Sequence, residues 1–202
     1  FKIDKKKQWS KNEILLNEFQ SIGFYMSDHP LKVYQNYFSE MKICSHFDFI
    51  NGKQNIALIA GTVMSIQEKK SAKGNPFAII KFTDLKTEFE LFLFSDLLIS
   101  NRDNLKTSNS FILTVQKESS QDINISRRIN VKNIVPLDNY VKKTYESVTI
   151  EINGNSRINE LQDLLKEDGH TNIKIKIRRD FKAYHFILKK PRKFNFDTFN
   201  NL

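Results

Sequence analysis

Lysines and a phenylalanine close together in one stretch carry side chains suited to binding a polyanion that also has aromatic groups. Lys69, Lys70 and Lys73 precede Gly74, and Phe77 comes three residues later. Ammonium groups neutralise phosphates whatever the base sequence, and a phenyl ring offers a face on which a base stacks for about 1–3 kcal/mol. The stretch predicts binding of single-stranded nucleic acid; the alternative is that a lysine-rich loop only adds solubility.

Other residues with the same two chemistries extend this candidate site. Phe92 lies in a segment where aromatic and charged residues alternate with apolar ones, which predicts a strand with one exposed face. The alternative is that Phe92 contacts a neighbouring domain. The complete set of candidate nucleic-acid-binding residues is Lys69, Lys70, Lys73, Phe77, Lys81, Phe92, Lys117, Arg127 and Arg128.

Residues for catalysis or metal binding do not occur at recognisable spacings. Phosphoryl transfer by a polymerase needs clustered carboxylates that hold two metal ions, and the sequence has no Asp-x-Asp motif, glycine-rich phosphate loop or His/Cys cluster. We therefore expect no catalytic residue, metal or other cofactor in this chain.

The composition predicts globular domains with a basic surface. The 202 residues are 40% hydrophobic and include 17 Phe, enough to fill one large core or two small ones. The net charge of +9 favours a polyanionic partner; the alternative is that lysine only decorates an ordinary solvated surface. Cys44 is the only cysteine, which fits a cytoplasmic location. No apolar run is long enough to cross a bilayer, and the start at Phe1 predicts a piece of a longer protein.

Five predicted strands, with one helix after the third, are expected to hold the candidate residues on one surface. This order is that of an oligonucleotide-binding (OB) barrel, which binds single-stranded nucleic acid through one sheet face and two loops. We expect the OB domain to span residues 56–136, with a bend or bulge at Gly61. The predicted strands are Ile56–Ile66, Phe77–Thr83, Glu88–Phe94, Phe111–Val115 and Ile129–Val135, and the helix follows Ser95, with Ser95 or Asp96 as its cap.

Residues 1–55 predict a helical segment ahead of the barrel. Ser10 and Glu13 stand at the spacing of a capping box, and this first helix is expected to end near Gly23. Pro30 suits the first turn of a second helix, where its missing N–H costs nothing. His29 has no visible carboxylate or nucleophile partner, which favours a structural role over a catalytic one.

Residues 137–202 predict a small α+β domain with the order strand, helix, strand, strand. Apolar residues alternate with polar ones from Val148 to Ile152 and from Ile173 to Ile177, and the helix between them is expected to end near Gly169. The fold class is therefore mainly β with an α+β tail. Basic residues of the tail form either a second patch or solvated strand ends: Arg178, Arg179, Lys189, Lys190, Arg192 and Lys193.

Three stretches resemble the alpha subunit of bacterial DNA polymerase III. Glu18, Gly23-Phe24-Tyr25 and His29-Pro30-Leu31 are similar to the family element E-x-x-x-x-G-F-Y-x-S-x-H-P-L, with Asp28 where the family usually has Gly. Asp tolerates left-handed backbone, so the turn is expected to survive the change. Residues 74–84 and 90–94 resemble the family motifs G-x-x-M-A-F-V-T-L-E-D and E-V-V-V-F, which some aminoacyl-tRNA synthetase barrels share.

The resemblance implies the C-terminal part of a replicative DNA-directed DNA polymerase. In that family the opening element joins the fingers to the OB domain, and residues 46–54 correspond to the linker between them. The catalytic aspartates and their Mg²⁺ ions lie in the palm, elsewhere in the parent enzyme. The partners implied are single-stranded DNA, the sliding clamp and, for the tail, the tau subunit of the clamp loader.

Two other hypotheses stay open. One is a protein-interaction module in which the basic loops never touch DNA. The other is the anticodon-binding OB domain of a tRNA synthetase, for which no ATP-binding or aminoacylation motif is visible. Steep loss of oligonucleotide affinity with rising salt would favour DNA binding over the interaction module.

Overall fold

Strands are the main elements of the chain. A computed structural model describes residues 9–118, 128–142, 145–153, 158–179 and 182–202. The chain divides between Leu137 and Asp138 into two compact units, each with its own sheet. Residues 9–55 belong to the first unit, and their status as a separate domain stays a prediction.

The first helix, α1 (Lys11–Ile22), is set by local signals at both ends. Ser10 Oγ accepts a hydrogen bond from the Glu13 N–H at 3.3 Å, and Glu13 Oε2 accepts one from the Ser10 N–H at 2.7 Å. Hydrogen bonds from Ser10 to the Glu13 carboxylate, chiefly the one from the Ser10 backbone N–H, lower the pKa of Glu13. The helix ends at Gly23, whose φ of 81° is costly for residues with a Cβ. The predicted capping box and helix end are confirmed.

The turn after α1 is held by two carboxylates. Glu18 Oε2 accepts hydrogen bonds from the Met26 and Ser27 N–H groups at 3.0 and 3.1 Å. Asp28 does not adopt the left-handed backbone allowed for it; its carboxylate lies 2.5 Å from Lys11 Nζ instead. Hydrogen bonding to the Lys11 ammonium holds the pKa of Asp28 at about 2.

The segment that follows contains the predicted second helix, but Pro30 lies before it and not in its first turn. The helix starts as a 3₁₀ turn over Lys32–Tyr34 and continues into α2 (Gln35–Glu40). The stretch matched to the family's linker, residues 46–54, contains α3 (His46–Asn51), whose start Ser45 Oγ caps by accepting from the Asp48 N–H at 3.1 Å. The role of this stretch as a linker stays a prediction.

The first unit contains a six-stranded sheet. Its strands are β1 (Ile43–Cys44), β2 (Ile56–Lys70), β3 (Pro76–Thr83), β4 (Glu88–Phe94), β5 (Ser110–Lys117) and β6 (Ile129–Pro136). They lie in the order β4-β3-β2-β5-β6, and β1 pairs in parallel with β2. The last five lie where strands were predicted, and β2 runs four residues further than expected. The edge strands β4 and β6 approach each other, but within the described residues no hydrogen-bonded ladder joins them. A closed barrel stays a prediction.

Strand β2 pairs with two partners in succession. Its first half, up to Thr62, pairs with β5, and its second half pairs with β3. The register shifts between Val63 and Ser65, so the irregularity predicted at Gly61 lies two residues later. Gly61 serves close packing instead, because a Cβ there would lie 3.0 Å from the Phe82 ring.

The core of the first unit lies on the face that the alternation predicted. In β3 and β4 every second side chain is buried, while those between are partly or fully exposed. The core members from these strands are Ala78, Ile80, Phe82, Phe89, Leu91 and Leu93. Helix α4 (Ser95–Asn101) follows β4 as predicted, and Leu98 joins the core. The expected side-chain cap is absent from α4, since Phe94 occupies the N-cap position.

The second unit contains a three-stranded sheet with the order β7-β8-β9. Its elements are α5 (Leu137–Val141), which starts at the boundary, β7 (Ser147–Asn153), α6 (Ile158–Leu164), β8 (Asp168–Arg179), β9 (Lys182–Ile187) and α7 (Phe196–Asn200). Strands β7 and β8 are parallel and β8 and β9 antiparallel. The core gathers Leu161, Leu165, Ile173 and Phe194. The predicted order strand, helix, strand, strand is confirmed.

Three details of the tail differ from expectation. Helix α6 ends at Leu164, and Gly169 lies within β8, where a Cβ would come 2.4 Å from the Lys193 backbone nitrogen. Helix α7 was not predicted. Part of the proposed basic patch is neutralised, because Arg192 pairs with Asp168 and Lys193 with Glu167, each at 2.6 Å.

Candidate nucleic-acid interface

Exposed phenylalanines line one side of the sheet in the first unit. Phe77 on β3 and Phe92 on β4 stack on each other, with ring centroids 6.4 Å apart and planes inclined by 27°. Phe92 is 45% exposed and Phe94, two residues along the same face, is 59% exposed. Alternation forces this exposure, because the side chains between them fill the core. The pair therefore offers aromatic faces to a ligand.

A groove of about 660 Å³ runs along these rings. It is an open, mostly apolar channel with a few polar groups, the general character of a ligand-binding cleft. Its walls come from α3, the β2–β3 hairpin, β3, β4 and β6. The residues that line it are His46, Ile50, Ser71, Asn75, Pro76, Phe77, Glu90, Leu91, Phe92, Phe94, Ser95, Arg128, Ile129 and Asn130.

The hairpin between β2 and β3 borders the groove and carries the predicted lysines. Lys69, Lys70 and Lys73 are exposed, whereas Ser71 and Asn75 of the same hairpin line the groove. The Ser71 N–H donates to the Asn75 carbonyl oxygen at 2.9 Å, which closes the turn. Lys69 is paired in register with Phe77, and directly opposite residues share a face of an antiparallel pair. Lys69 therefore lies on the same side as the stacked rings.

A second basic segment also lines the groove. Arg128 lines the groove just before β6 and is exposed, and Asn130 follows two residues later. Arg127 lies outside the described residues. Of the predicted set, the structure thus brings Phe77, Phe92 and Arg128 into one groove, with the lysine hairpin at its edge.

Lys81 does not line the groove. Its Nζ lies 2.6 Å from Glu88 Oε2, and this hydrogen bond together with the charge of Glu88 raises the pKa of Lys81. The ammonium group of Lys81, predicted to bind phosphate, is therefore engaged in an ion pair with Glu88.

The prediction that Lys117 binds nucleic acid is contradicted. Lys117 is only 6% exposed, at the end of β5. Its Nζ donates a hydrogen bond to the Gly52 carbonyl oxygen at 2.6 Å and lies 4.9 Å from the centre of the Phe49 ring. A buried ammonium needs such partners, and once they hold it, it cannot reach a ligand phosphate.

His46 lines the groove although the sequence did not indicate it. The His46 ring stacks on Phe89 with centroids 4.2 Å apart, and the His46 backbone N–H donates to Asp84 Oδ2 at 2.8 Å. Burial lowers the pKa of His46, against the opposing charge of Asp84. Asp84 also accepts from the Lys86 and Thr87 N–H groups, both at 2.7 Å, so one carboxylate ties α3 to the β3–β4 turn. The one sequence signal for this contact was that Asp84 is the last residue of the motif over residues 74–84.

The residues Gly23, His29 and Pro30 lie outside the groove. His29 Nδ1 accepts a hydrogen bond from the Leu31 N–H at 3.1 Å, and its ring meets Tyr25 edge-on with centroids 5.5 Å apart. Burial lowers the pKa of His29, while the charges of Asp84 and Asp28 act in the opposite direction. These contacts suit a packing role for His29.

Neither a metal site nor a membrane-spanning helix is present in the part of the chain that the structure describes. No group of three or more His, Cys, Asp or Glu side chains there is placed to hold a metal ion. No helix within those residues is both long and apolar enough to span a bilayer.

Comparison with known proteins yields individual relatives, although no protein-family model matches the chain. The DNA polymerase III subunit alpha of Buchnera aphidicola subsp. Acyrthosiphon pisum is 28% identical over 177 residues, which are 83% of this chain and 15% of that protein. The chain is similar to a segment of the bacterial DNA polymerase III alpha subunit. Two further alpha subunits show the same similarity. The one from Rickettsia bellii is 29% identical over 106 residues, which are 51% of this chain and 9% of that protein. The one from Pasteurella multocida is 23% identical over 144 residues, which are 71% of this chain and 12% of that protein.

The resemblance to the polymerase III alpha subunit is thereby confirmed. The chain spans only about a tenth of the length of these curated relatives, between 9% and 15% of each.

Proposed function

We propose that the chain is a non-catalytic C-terminal part of a bacterial replicative DNA polymerase alpha subunit, and that residues 56–136 form an OB-fold domain that binds single-stranded template DNA. The observation that carries the proposal is the stacked pair Phe77 and Phe92 in a groove bordered by the lysine hairpin and Arg128.

The OB fold is supported by topology. The five strands β2 to β6 lie in the order third, second, first, fourth, fifth, with a helix between the third and fourth. The first strand changes partner halfway and carries a bulge, as a strand must when one sheet curls to bring its edges together. The approach of β4 to β6 suits closure at those edges.

Single-stranded rather than double-stranded DNA is supported by the chemistry of the groove. Stacking needs bases whose faces are free, which a duplex does not provide. The cations sit on flexible stems at the rim and neutralise phosphates without sequence preference. A groove of about 660 Å³ has room for a few nucleotides but is much smaller than a duplex.

The parent chain is proposed to be a DNA-directed DNA polymerase that uses Mg²⁺. Within the described residues no group of three or more His, Cys, Asp or Glu side chains is placed to hold a metal ion. As the resemblance implies, we place catalysis in other parts of the parent. Residues 1–55 would join the fingers to the barrel, and the sliding clamp would bind elsewhere on the parent.

Residues 137–202 are proposed to contact the tau subunit of the clamp loader. Tyr184 and Phe186 on the edge strand β9 support a protein contact. They lie opposite Ile177 and Ile175, on the face that carries the core of this unit, yet both are about half exposed.

Fluorescence anisotropy with labelled oligonucleotides of about 15 nucleotides, a length within reach of one OB domain, tests the DNA proposal. The 202-residue chain should bind single-stranded DNA more tightly than duplex DNA of the same length, and the affinity should fall steeply as salt rises. Equal affinity for both forms, or a flat salt dependence, would count against it.

A protein-interaction module is the second candidate, favoured by one observation. Two of the predicted cations, Lys81 and Lys117, are held by protein groups, and much of the groove is apolar. Failure to bind any oligonucleotide at low salt, with the fold intact by circular dichroism, would favour this candidate.

A further inference from the structure

One carboxylate faces the aromatic groove. Glu90 shares the exposed face of β4 with Phe92 and Phe94, and it lines the groove with them. It is the group least expected there, because a carboxylate repels the phosphates that the bordering cations attract.

Glu90 forms no close ion pair with Lys81, its neighbour across the ladder, although, besides the hydrogen bond and charge of Glu88, the charge of Glu90 contributes to the raised pKa of Lys81. Lys81 stands opposite Glu90 in register, but its Nζ lies 2.6 Å from Glu88, one place further along the same face. Within the described ranges the structure records neither a hydrogen bond nor a close ion pair for the Glu90 carboxylate. Its two oxygens remain available to accept hydrogen bonds from a ligand.

The charges around the groove indicate how a strand would lie. Phosphates favour the lysine hairpin and Arg128, and they avoid Glu90. A base stacked on Phe92 then points its hydrogen-bonding edge toward a carboxylate two residues along the same strand. The sugar-phosphate backbone would run along the cationic border.

We infer that Glu90 is a specificity-determining residue that favours cytosine or adenine, whose exocyclic amino group takes the place of thymine O4, over thymine or uracil at one position of the bound strand. This inference rests on the proposed binding of single-stranded DNA. A carboxylate accepts from the N4 amino group of cytosine or the N6 amino group of adenine, whereas thymine presents the O4 acceptor at the equivalent place. Two acceptors face to face repel each other, so thymine loses affinity as cytosine gains it.

The test compares two pyrimidine strands, which differ little in ring size. Labelled oligo-dC and oligo-dT of about 15 nucleotides are titrated with the 202-residue chain near pH 7.5. We expect oligo-dC to bind at least about fivefold more tightly than oligo-dT, which is the lower end of the discrimination that one good base contact provides. Glu90→Gln should bring the ratio close to one, because an amide both donates and accepts. It should also strengthen binding of oligo-dT.

Glu40→Gln is the matched control. Glu40 is exposed and carries the same charge, but it does not line the groove. It should leave the oligo-dC to oligo-dT ratio unchanged, and circular dichroism should show that both variants are folded.

The outcomes separate this inference from the proposed function. Equal binding of oligo-dC and oligo-dT by the unsubstituted chain would overturn the role of Glu90 while single-strand binding stands. An equal change of the ratio in both variants would also overturn it, since net charge alone would be the cause. If neither oligonucleotide binds, the proposed function itself fails.

Discussion

Lys117 Nζ lies 4.9 Å from the centre of the Phe49 ring, with its charge directed at the Gly52 carbonyl oxygen. The contact joins the end of β5 to the end of α3, across 65 positions of sequence. It therefore holds against the sheet a helix whose first residue, His46, lines the groove.

Lys117→Ala should destabilise the fold without removing a cation from the groove. The loss of a hydrogen bond from a charged donor, together with the cation–π contact, is expected to lower the free energy of unfolding by about 1–3 kcal/mol. Urea unfolding measures the effect, and the exposed Lys53→Ala should change stability by less than about 0.5 kcal/mol. A change in the salt slope of oligonucleotide binding as large as that of a hairpin lysine would contradict the buried role.

Phe92→Ala should weaken binding of single-stranded DNA by about 1–3 kcal/mol, because it removes a stacking face from the groove. Phe24→Ala is its matched control: Phe24 is 50% exposed against 45% for Phe92, but it does not line the groove. Anisotropy titration gives both affinities. Similar losses for the two variants would show that the aromatic pair has no special place in binding.

The lysine hairpin should set much of the salt dependence. Each phosphate contact on a single strand contributes about 0.7 to the slope of log affinity against log salt. Replacing Lys69, Lys70 and Lys73 together by Ala should therefore reduce the magnitude of this slope by up to about 2. The control removes three exposed lysines that do not line the groove, Lys42→Asn, Lys53→Ala and Lys106→Ala. Asn suits position 42, where φ is 56°. Equal slopes for the two triple variants would mean that only net charge matters.

Asp84→Asn should loosen the start of α3. One oxygen of Asp84 accepts from the Lys86 and Thr87 N–H groups and the other from the backbone N–H of His46. In the Asp84→Asn variant an NH₂ group replaces one of these oxygens, so at least one N–H group loses its acceptor and faces another donor. The expected loss is about 1–3 kcal/mol of unfolding free energy, with faster hydrogen exchange at the His46 amide. Asp103→Asn, an exposed change, should leave both quantities as they are. Unaltered exchange at His46 in the Asp84 variant would argue against the tie.

Stability should fall as pH drops below about 6.5. Burial lowers the pKa values of His29 and His46 in the folded chain, so the unfolded chain takes up protons first and is favoured in that window. The stability that the two neutral histidines contribute is fully present above their pKa in the unfolded chain. It is lost as pH falls through their lower pKa in the folded chain. Urea unfolding near pH 7.5 and near pH 5.5 measures the change, which His29→Gln should reduce. A pH dependence that His29→Gln leaves unchanged would exclude burial of His29 as a cause.

Patterns of short range predicted much of the fold. The Ser10 and Glu13 spacing located the start of α1, and alternation in β3 and β4 separated core from surface residue by residue. Each of these features depends on groups within a few residues of one another, so the sequence alone contains the necessary information.

The sequence by itself therefore determined which side chains of β3 and β4 face outward, including Phe77 and Phe92. Only the tertiary structure decided which outward-facing or terminal groups remain free to meet a ligand. Lys117 is covered by residues far away in sequence, Lys81 is held by Glu88 on the neighbouring strand, and Glu90 is left without such a partner. Packing between distant segments sets burial and pairing, and no local periodicity encodes it.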